Sequence, residues 1–253
     1  DNNKFTTIRD SFGIVNELPN EPDEVLVAAG NANRGSYGVD PFAAFRPRSY
    51  YKLNLVKGTK KLVLKGTRKY GSIGFDNDGY PRVATGFDAD NKLKTYYRKP
   101  GDSSWTQFGV EYDADDHENL YRFLTRFQGL AHIDPDNPNL GYMIEARNGD
   151  DKAALWEFDF ETGQFGKKLF QDENADVMRV GTHSIPGRDT LAFAQYPGEK
   201  WVRRWIGGEG NALYGALEGE CPGALHGRTE PQSLLSPPVQ CVVQSAVSGL
   251  CRE

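Results

Sequence analysis

The feature that most constrains this 253-residue sequence is a set of short extended runs that recur in groups of four. Each run is bounded by Gly, Pro, Asn or Asp, the residues that favour turns. The first three groups comprise 12–18, 24–29, 49–56 and 60–65; then 72–75, 80–87, 92–99 and 105–110; then 127–133, 140–147, 153–160 and 165–170. A fourth group starts with 177–183 and 190–196 and is expected to stop after these two runs. The pattern predicts successive antiparallel β-meanders.

The connections between the runs repeat as well. Segments rich in Pro, Asn, Asp and Gly separate the first run of each group from the second, at 19–23, 76–79, 134–139 and 186–189. A glycine-containing turn separates the third run from the fourth in each complete group. The third runs of the first and third groups alternate apolar and polar residues, which indicates strands with one packed face.

The spacing of the groups predicts the architecture. The first strands begin near residues 12, 72, 127 and 177, at intervals of roughly 50–60 residues. Four-stranded units at such a period are typical of β-propellers, whose blades pack face to face. The sequence therefore predicts an all-β fold, a partial β-propeller of about three and a half four-stranded blades, near 12–66, 72–110, 127–170 and 177–205. The alternative is an all-β sandwich with irregular connections. The stretch 30–48 is expected to be a loop inserted into the first blade.

Composition excludes several classes of partner. The net charge of −5 gives no basic field for nucleic acid. No apolar run approaches the ~20 residues that cross a bilayer, so a soluble chain without a membrane span is expected. The three cysteines, Cys221, Cys241 and Cys251, all lie near the C-terminus, and the preceding residues are expected to fold without a disulfide. The sequence indicates no cellular compartment.

Two stretches resemble the propeller of the prolyl oligopeptidase family of serine peptidases. They are 50–64 (YYKLNLVKGTKKLVL) with 78–84 (DGYPRVA), and 154–163 (ALWEFDFETG) with 168–170 (KLF). Members near the acylaminoacyl- and dipeptidyl-peptidase branches carry similar strings, and the resemblance covers roughly residues 12–226. It implies a two-domain enzyme in which a propeller of about seven or eight blades caps the active site and filters substrates. A downstream α/β-hydrolase domain would supply the catalytic Ser, Asp and His. The closing blades and that domain would then be absent from this chain.

The sequence offers no nucleophile of the kind that the resemblance implies. A nucleophile elbow needs Gly two residues before and after the Ser, and no serine here has both. Ser36, Ser72 and Ser103 each have only one of the two glycines, and the glycines that flank Ser184 are three residues away. His183 beside it is expected to point to the opposite face of the strand. We therefore expect no catalytic residue and no peptidase activity from this chain alone.

Other candidate sites have simpler interpretations. The acidic stretch 113–118 lacks the Gly and terminal Glu of a calcium loop, so a solvated turn is expected there, with no metal and no cofactor. Residues 88–91 and 134–136 are likewise expected to be turns. The stretch 30–36 spaces two glycines like a phosphate loop but lacks its Lys, which favours a plain loop.

Aromatic and basic residues give two further hypotheses. Four tryptophans could form a sugar-stacking platform: Trp105, Trp156, Trp201 and Trp205. Trp156 lies at a repeat position and is expected in the blade core, whereas Trp201 and Trp205 could share a helical face or an interface. Four arginines near strand ends could face a central channel: Arg82, Arg122, Arg126 and Arg147.

The C-terminal part departs from the repeat. Residues 1–227 are predicted to be the partial propeller, with one short helix near 207–219 that Asn211 would cap. Residues 228–253 contain no aromatic residue and no Lys. This change predicts an atypical tail that is non-native or disordered, the result of a frameshift, a truncation or an unrelated terminus. The alternative is an ordinary divergent pair of strands.

Together these observations predict a non-catalytic propeller that gates substrates for, and docks onto, a downstream α/β-hydrolase domain. Its partners would be that domain or a peptide substrate. The alternative is a stand-alone β-propeller that binds a ligand or a protein without enzymatic activity; an all-β hydrolase has no positive signal. Because an open propeller leaves blade faces and strand edges uncovered, self-association or partial folding is expected.

Overall fold

Fifteen strands form four antiparallel sheets in the part of the chain that the structure describes. The computed structural model describes residues 11–30, 45–116, 118–120, 123, 129–147, 149–185 and 188–206. The strands are β1 (Ser11–Asn16), β2 (Glu24–Gly30), β3 (Ser49–Asn54), β4 (Lys60–Lys65), β5 (Ser72–Phe75), β6 (Pro81–Phe87), β7 (Lys92–Tyr97), β8 (Thr106–Asp113), β9 (Gly129–Ile133), β10 (Leu140–Glu145), β11 (Ala154–Asp159), β12 (Gln164–Phe170), β13 (Arg179–Ile185), β14 (Arg188–Pro197) and β15 (Trp201–Trp205).

Each sheet is a meander in which every strand pairs with the next one in the chain. Sheet 1 is β1–β4, sheet 2 is β5–β8, sheet 3 is β9–β12 and sheet 4 is β13–β15. The three predicted quartets are confirmed. The expectation that the fourth group stops after two strands is wrong, because β15 pairs with β14 from Phe193–Trp205 to Pro197–Trp201. Two consecutive arginines interrupt the apolar alternation of β15, which hid this strand in the sequence.

The sheets pack face to face in chain order through three apolar clusters. Sheets 1 and 2 share Leu18, Leu26, Ala28 and Tyr50 with Ile73 and Phe75. Sheets 2 and 3 share Val83 and Tyr97 with Ile133, Met143, Phe158 and Phe160. Sheets 3 and 4 share Tyr142, Ile144 and Leu155 with Val177 and Ala194. The middle sheets therefore bury both of their faces.

The arrangement is that of propeller blades. Met143 and Ile144 are neighbours on β10 with 0% and 1% exposure, and they pack towards sheet 2 and sheet 4 respectively. A two-layer sandwich buries only one face of each sheet, so the sandwich alternative is wrong. The first strand β9 also lies beside the first strands β5 and β13, as inner strands of adjacent blades do. At Gly74 of β5, an added Cβ would lie 3.0 Å from Cβ of Leu130, so this glycine permits the close approach.

Antiparallel alternation gives the stack two distinct ends. The turns β1–β2, β3–β4 and their equivalents lie at what we name the turn end. Contacts between sheets define it: Lys99 pairs with Glu161 at 2.9 Å, and Asn20 donates to Asp78 at 2.8 Å. The connections β2–β3, β4–β5, β6–β7, β8–β9 and their equivalents lie at the opposite end, which we name the loop end. There the Phe45 and Phe87 rings of sheets 1 and 2 meet at 5.8 Å.

One row of apolar side chains crosses the outer face of sheet 1. Ile14, Val27, Tyr51 and Leu62 are successive cross-strand partners. Their neighbours Leu26, Ala28 and Tyr50 pack towards sheet 2, so the row points away from it. Ile14 is 71% exposed and Leu62 is 51% exposed. We name these four residues the outer row.

Helical structure is limited in the described residues. Residues 118–120 and 123, between β8 and β9, are helical, and none of the described helical residues belongs to a segment with the length and hydropathy of a bilayer span. The short helix expected near 207–219, its cap Asn211 and the tail 228–253 lie outside the described residues. The segment between β2, which ends at Gly30, and β3, which begins at Ser49, is the position expected for the inserted loop, but most of it lies outside the described residues.

Candidate functional site

The two longest connections of the described fold both lie at the loop end. They join β2 to β3 and β8 to β9. Long connections on a rigid scaffold are the usual location of binding residues. Their described parts meet in an apolar cluster at this end, composed of Phe45, Phe87, Leu93, Leu120 and Phe123. A binding site is therefore expected at the loop end between sheets 1, 2 and 3.

A buried carboxyl group lies at this end, on the face of sheet 3 that packs against sheet 2. Glu145 is the last residue of β10 and shares the face of Met143, which packs in the cluster between sheets 2 and 3. Its side chain is only 18% exposed. Burial raises the pKa of Glu145 to about 7, although the charge of Arg147 acts in the opposite direction. The group therefore changes its charge near neutral pH.

Tyr112 approaches Glu145 from sheet 2. Burial raises the pKa of the Tyr112 hydroxyl, and the Glu145 charge raises it further. The Tyr112 ring lies 4.8 Å from the Phe123 ring, which belongs to the loop-end cluster. The carboxyl group, the phenol and the aromatic wall thus come from three separate elements, β10, β8 and the β8–β9 connection.

Arg147 completes the group, which we name the Glu145 site: Tyr112, Phe123, Glu145 and Arg147. Its guanidinium Cζ lies 3.5 Å from the centre of the Phe165 ring. Its Nη1 lies 3.8 Å from Oε2 of Glu145, which is too long for a hydrogen bond. The Glu145 carboxyl group is attracted by the charge of Arg147 but makes no direct hydrogen bond to it. Its oxygens can therefore take up a proton or accept a hydrogen bond from a donor group of a ligand.

The described residues of the acidic stretch 113–118 lie in a turn and at the start of a helix. Oδ1 of Asp113 accepts a hydrogen bond from the backbone N–H of Asp115 at 3.0 Å. Oδ1 of Asp116 accepts from the N–H of Asn119 at 3.2 Å, and its carbonyl oxygen accepts from the N–H of Leu120 at 2.9 Å. Asp116 is therefore a helix N-cap. Among the described residues, which exclude His117, no group of three or more His, Cys, Asp or Glu could hold a metal ion.

An ion-pair network stabilises the neighbouring β6–β7 turn. Nζ of Lys94 lies 2.6 Å from Oδ2 of Asp88 and 3.3 Å from Oε2 of Glu111. Nζ of Lys92 lies 2.5 Å from Oε1 of the same glutamate. Hydrogen bonding to these carboxylates raises the pKa of Lys94, and Lys94 in turn lowers the pKa of Asp88. Asp88 also accepts from the N–H of Asp90, as the turn interpretation of 88–91 predicts.

The four arginines predicted near a channel do not form one group. Arg82 lies at the turn end and is 1% exposed. Its Nη2 donates to the Pro138 carbonyl of sheet 3 at 2.7 Å, its Nη1 pairs with Asp76 at 3.3 Å, and its Cζ lies 4.2 Å from the centre of the Phe160 ring. The channel interpretation is wrong for Arg82, because its guanidinium joins two sheets. Arg147 belongs to the Glu145 site, and the other two lie outside the described residues.

The four tryptophans lie on three sheets with separate partners. Trp156 is 7% exposed in β11, which confirms its place in the blade core. Trp201 and Trp205 lie in β15, so the helical interpretation is wrong. The Trp205 ring packs against Phe193 at 5.0 Å, whereas the Trp105 ring stacks on Tyr70 at 5.1 Å. This arrangement does not make a common platform.

The remaining candidates are only partly described. His183 and Ser184 are adjacent on β13, where they pair with Thr190 and Asp189, but their side chains lie outside the described residues. The glycine-spaced segment 31–36 and the three cysteines lie outside them as well. The absence of a catalytic residue therefore stays a prediction.

Sequence reasoning singled out Arg147 and missed Glu145 and Tyr112. The signal for Glu145 was present in the sequence, because alternation along β10 assigns it to the same face as Met143. A carboxylate at a packed position is unusual enough to mark a candidate site. No comparable signal existed for Tyr112, whose proximity to Glu145 depends on the packing of sheet 2 against sheet 3.

Comparisons with known proteins add solved structures of low similarity. No family model and no curated protein matches the chain. TolB from Acinetobacter baumannii is 14% identical with a TM-score of 0.44, over 78% of this chain and 42% of that one. The β-propeller domain of the trilobed protease from Pyrococcus furiosus is 10% identical with a TM-score of 0.35, over 72% and 54%. Acylaminoacyl peptidase from Pyrococcus horikoshii is 9% identical with a TM-score of 0.32, over 72% and 30%. The chain thus spans about half or less of these structures, and the fold assignment depends on the sheets and clusters described above.

Proposed function

We propose that this chain is a non-catalytic propeller module that docks onto and gates an α/β-hydrolase domain encoded downstream. The observation that supports docking most directly is the outer row of sheet 1, where Ile14 and Leu62 leave most of their apolar surface in solvent. Val27, which lies between them in the row, is 4% exposed, so the row exposes apolar surface at its two ends. Exposed apolar surface on a sheet face is a usual feature of interaction sites. The resemblance to prolyl oligopeptidases supplies the nature of the partner, and gating follows from the position of such propellers over an active site.

The structural roles of the described charged groups support a non-catalytic module. Arg82 joins sheets 2 and 3, Asp116 caps a helix, and Lys94 holds a turn. These groups stabilise blades and connections, and they are not arranged as a nucleophile with a base. The chemistry of peptide hydrolysis would then belong to the partner domain.

A fluorophosphonate probe tests the non-catalytic part of the proposal. Such probes label serine nucleophiles that a base activates, so the chain is expected to stay unlabelled while a known serine hydrolase in the same tube is labelled. Covalent labelling of any serine, above all Ser184, would overturn this part. Reading the coding frame beyond Glu253 tests the docking part: a Gly-x-Ser-x-Gly motif followed by Asp and His supports it, and a stop codon in an intact gene contradicts it.

The second candidate function is a stand-alone module that binds a ligand at its loops. The Glu145 site favours it, because a carboxyl group that titrates near neutral pH lies beside an arginine between two long connections. A ligand that donates hydrogen bonds or carries positive charge would fit the ionised form of Glu145. A stop codon directly after this chain would favour this alternative over the docking module.

A further inference from the structure

A second polar group lies on the opposite face of sheet 2, on the side of sheet 1. Tyr97 of β7 packs towards sheet 3, so the neighbouring Tyr96 points to the other face. Tyr96 contacts the Tyr70 ring at 5.3 Å, Tyr70 stacks on Trp105 at 5.1 Å, and the guanidinium Cζ of Arg98 lies 4.1 Å from the centre of the Trp105 ring. We name Tyr70, Tyr96, Arg98 and Trp105 the Arg98 site.

The Arg98 site lies outside the apolar cluster that joins sheets 1 and 2. That cluster takes its sheet 2 members, Ile73 and Phe75, from the inner strand β5. The Arg98 site instead involves the outer strands, because Tyr96 lies on β7 and Trp105 directly precedes β8. Blades of a propeller diverge outwards from the inner strands. A ligand can therefore approach the site from the side of the stack.

The guanidinium of Arg98 has no hydrogen bond or ion pair in the described part of the chain, although the charge of Asp102 acts on it from a distance. Its Nε is buried and donates no hydrogen bond. Three other arginines that lie over aromatic rings have polar partners: Arg82 pairs with Asp76, Arg147 lies near Glu145, and Nε of Arg179 donates to Gln195 at 2.8 Å. Burial lowers the pKa of Arg98 more than the nearby charges, including that of Asp102, raise it, so its charged form is incompletely compensated.

The geometry points to a carboxylate as the missing partner. A planar guanidinium binds a planar carboxylate through two parallel hydrogen bonds, and one of its faces is already held by Trp105. The half-buried Tyr70 ring extends this surface and favours an apolar or aromatic group next to the carboxylate, and the buried Tyr96 ring packs against Tyr70. Nζ of Lys69 lies 4.9 Å from the centre of the Tyr96 ring and adds a second positive charge.

We propose that the Arg98 site binds a carboxylate attached to an aromatic or apolar group, as found at the C-terminus of a peptide or on an acidic side chain beside such a residue. The proposal goes beyond the docking function, because the site lies on sheet 2 and not on the outer row of sheet 1. It needs only this chain and a small ligand.

Calorimetric titration of the chain with three probes tests the ligand class. The probes are N-acetylphenylalanine, its C-terminal amide, and N-acetyl-aspartyl-phenylalanine amide, which carries its only carboxylate on a side chain. At least one of the two carboxylates is expected to bind saturably and at least about tenfold more tightly than the amide. The tighter of the two identifies the source of the carboxylate. Equal binding of all three probes, or no binding of any, would overturn the proposal.

Two variants test the location. Arg98→Met removes the charge while filling similar space, and it should weaken carboxylate binding at least about tenfold. Arg179→Met is the matched control, because Arg179 also lies over a tryptophan, 5.0 Å from the Trp201 ring, but is hydrogen-bonded to Gln195. It should bind like the wild type.

A stability measurement distinguishes binding from a structural role of Arg98. Removing a partly desolvated charge that makes no hydrogen bond or ion pair should leave the unfolding temperature of Arg98→Met equal to or above that of the wild type without ligand. A lower unfolding temperature, a failure to fold, or unchanged carboxylate binding would each contradict the proposal. These results are independent of fluorophosphonate labelling and of the downstream coding frame. A failure of the carboxylate proposal is therefore distinguishable from a failure of the docking function.

Discussion

Arg82 and Arg98 lie side by side on paired strands of sheet 2, yet their guanidinium groups have opposite surroundings. The N–H of Arg98 donates to the carbonyl of Arg82 at 2.8 Å. Arg82 reaches Asp76 and the Pro138 carbonyl and is almost fully buried, whereas Arg98 lies over the Trp105 ring and its buried Nε donates no hydrogen bond. The first arrangement stabilises the fold, and the second leaves a charge for a ligand. The sequence does not distinguish the two arginines, because each is next to a strand residue with a large apolar or aromatic side chain: Arg82 precedes Val83, and Arg98 follows Tyr97.

Replacement of Arg82 by Ala tests its structural role. The change leaves Asp76 without its cation and the Pro138 carbonyl without its donor in a buried place, so the free energy of unfolding should fall by about 3–5 kcal/mol. Denaturant unfolding measures this. Lys99→Ala is the matched control, because Lys99 and Glu161 also join sheets 2 and 3 at the turn end but are exposed. Equal effects of the two changes would contradict the role given to Arg82.

Glu145 predicts a pH dependence of stability. Its pKa is about 7 in the folded chain and near the model-peptide value of 4.5 when unfolded, so the folded state retains its proton over a wider range. The stabilisation is therefore complete below pH 4.5 and is lost as pH rises to about 7, by a few kcal/mol at most. Glu145→Gln should remove this slope and exceed the wild type in stability above pH 7. Thermal unfolding at pH 5, 6, 7 and 8 measures the difference, and parallel pH curves for the two proteins would contradict it.

At the scale of the elements, the β4–β5 connection packs closely against strand β6. Gly86 of β6 lies beneath the β4–β5 connection, where an added Cβ would lie 2.6 Å from the Lys69 carbonyl oxygen and also against that of Arg68. The N–H of Phe87 donates to the Arg68 carbonyl at 2.9 Å, which holds the connection in place. The β4–β5 connection can therefore pack this closely on β6 only because Gly86 has no side chain.

Gly86→Ala should lower the free energy of unfolding by about 1–3 kcal/mol, because backbone atoms must move to admit the Cβ. Gly13→Ala is the control: Gly13 is also a strand glycine, but an added Cβ there meets nothing within 4 Å. It should be neutral or slightly stabilising. Chemical denaturation of both variants measures the contrast, and a neutral Gly86→Ala would mean that the β4–β5 connection does not lie on β6.

Strands and turns could be predicted from the sequence because both depend on local physics. Period-two alternation and turn-forming residues are visible in the chain itself, and they located fourteen of the fifteen strands that the structure describes. β15 was missed because its residues Arg203 and Arg204 break the alternation. The Glu145 and Arg98 sites were missed because each joins side chains from separate strands and connections. Such proximity is set by packing between elements, which one sequence does not record.

At the scale of the whole molecule, the stack explains why this chain should associate. Sheets 2 and 3 bury both faces, but sheet 1 leaves Ile14 and Leu62 of the outer row in solvent. An additional blade, a partner domain or a second copy would cover this row.

Self-association of the isolated chain through the outer row is therefore expected. Ile14→Glu combined with Leu62→Glu should shift the weight-average mass towards the monomer, because charge replaces exposed apolar surface. Val110→Glu is the control, since Val110 is 68% exposed on sheet 2, away from the row. Light scattering over a concentration series measures the masses. A wild type that stays monomeric at high concentration would contradict the expectation.

The central claim, that the meanders stack in chain order as blades, is tested most directly by nuclear Overhauser contacts between aromatic rings. The stack predicts contacts between Tyr50 and Phe75 (4.8 Å) for sheets 1 and 2, Tyr97 and Phe158 (5.6 Å) for sheets 2 and 3, and Phe170 and Tyr196 (5.4 Å) for sheets 3 and 4. Observation of all three would support it. Contacts that join the rings of sheet 1 to those of sheet 3, with no contact between Tyr97 and Phe158, would contradict it.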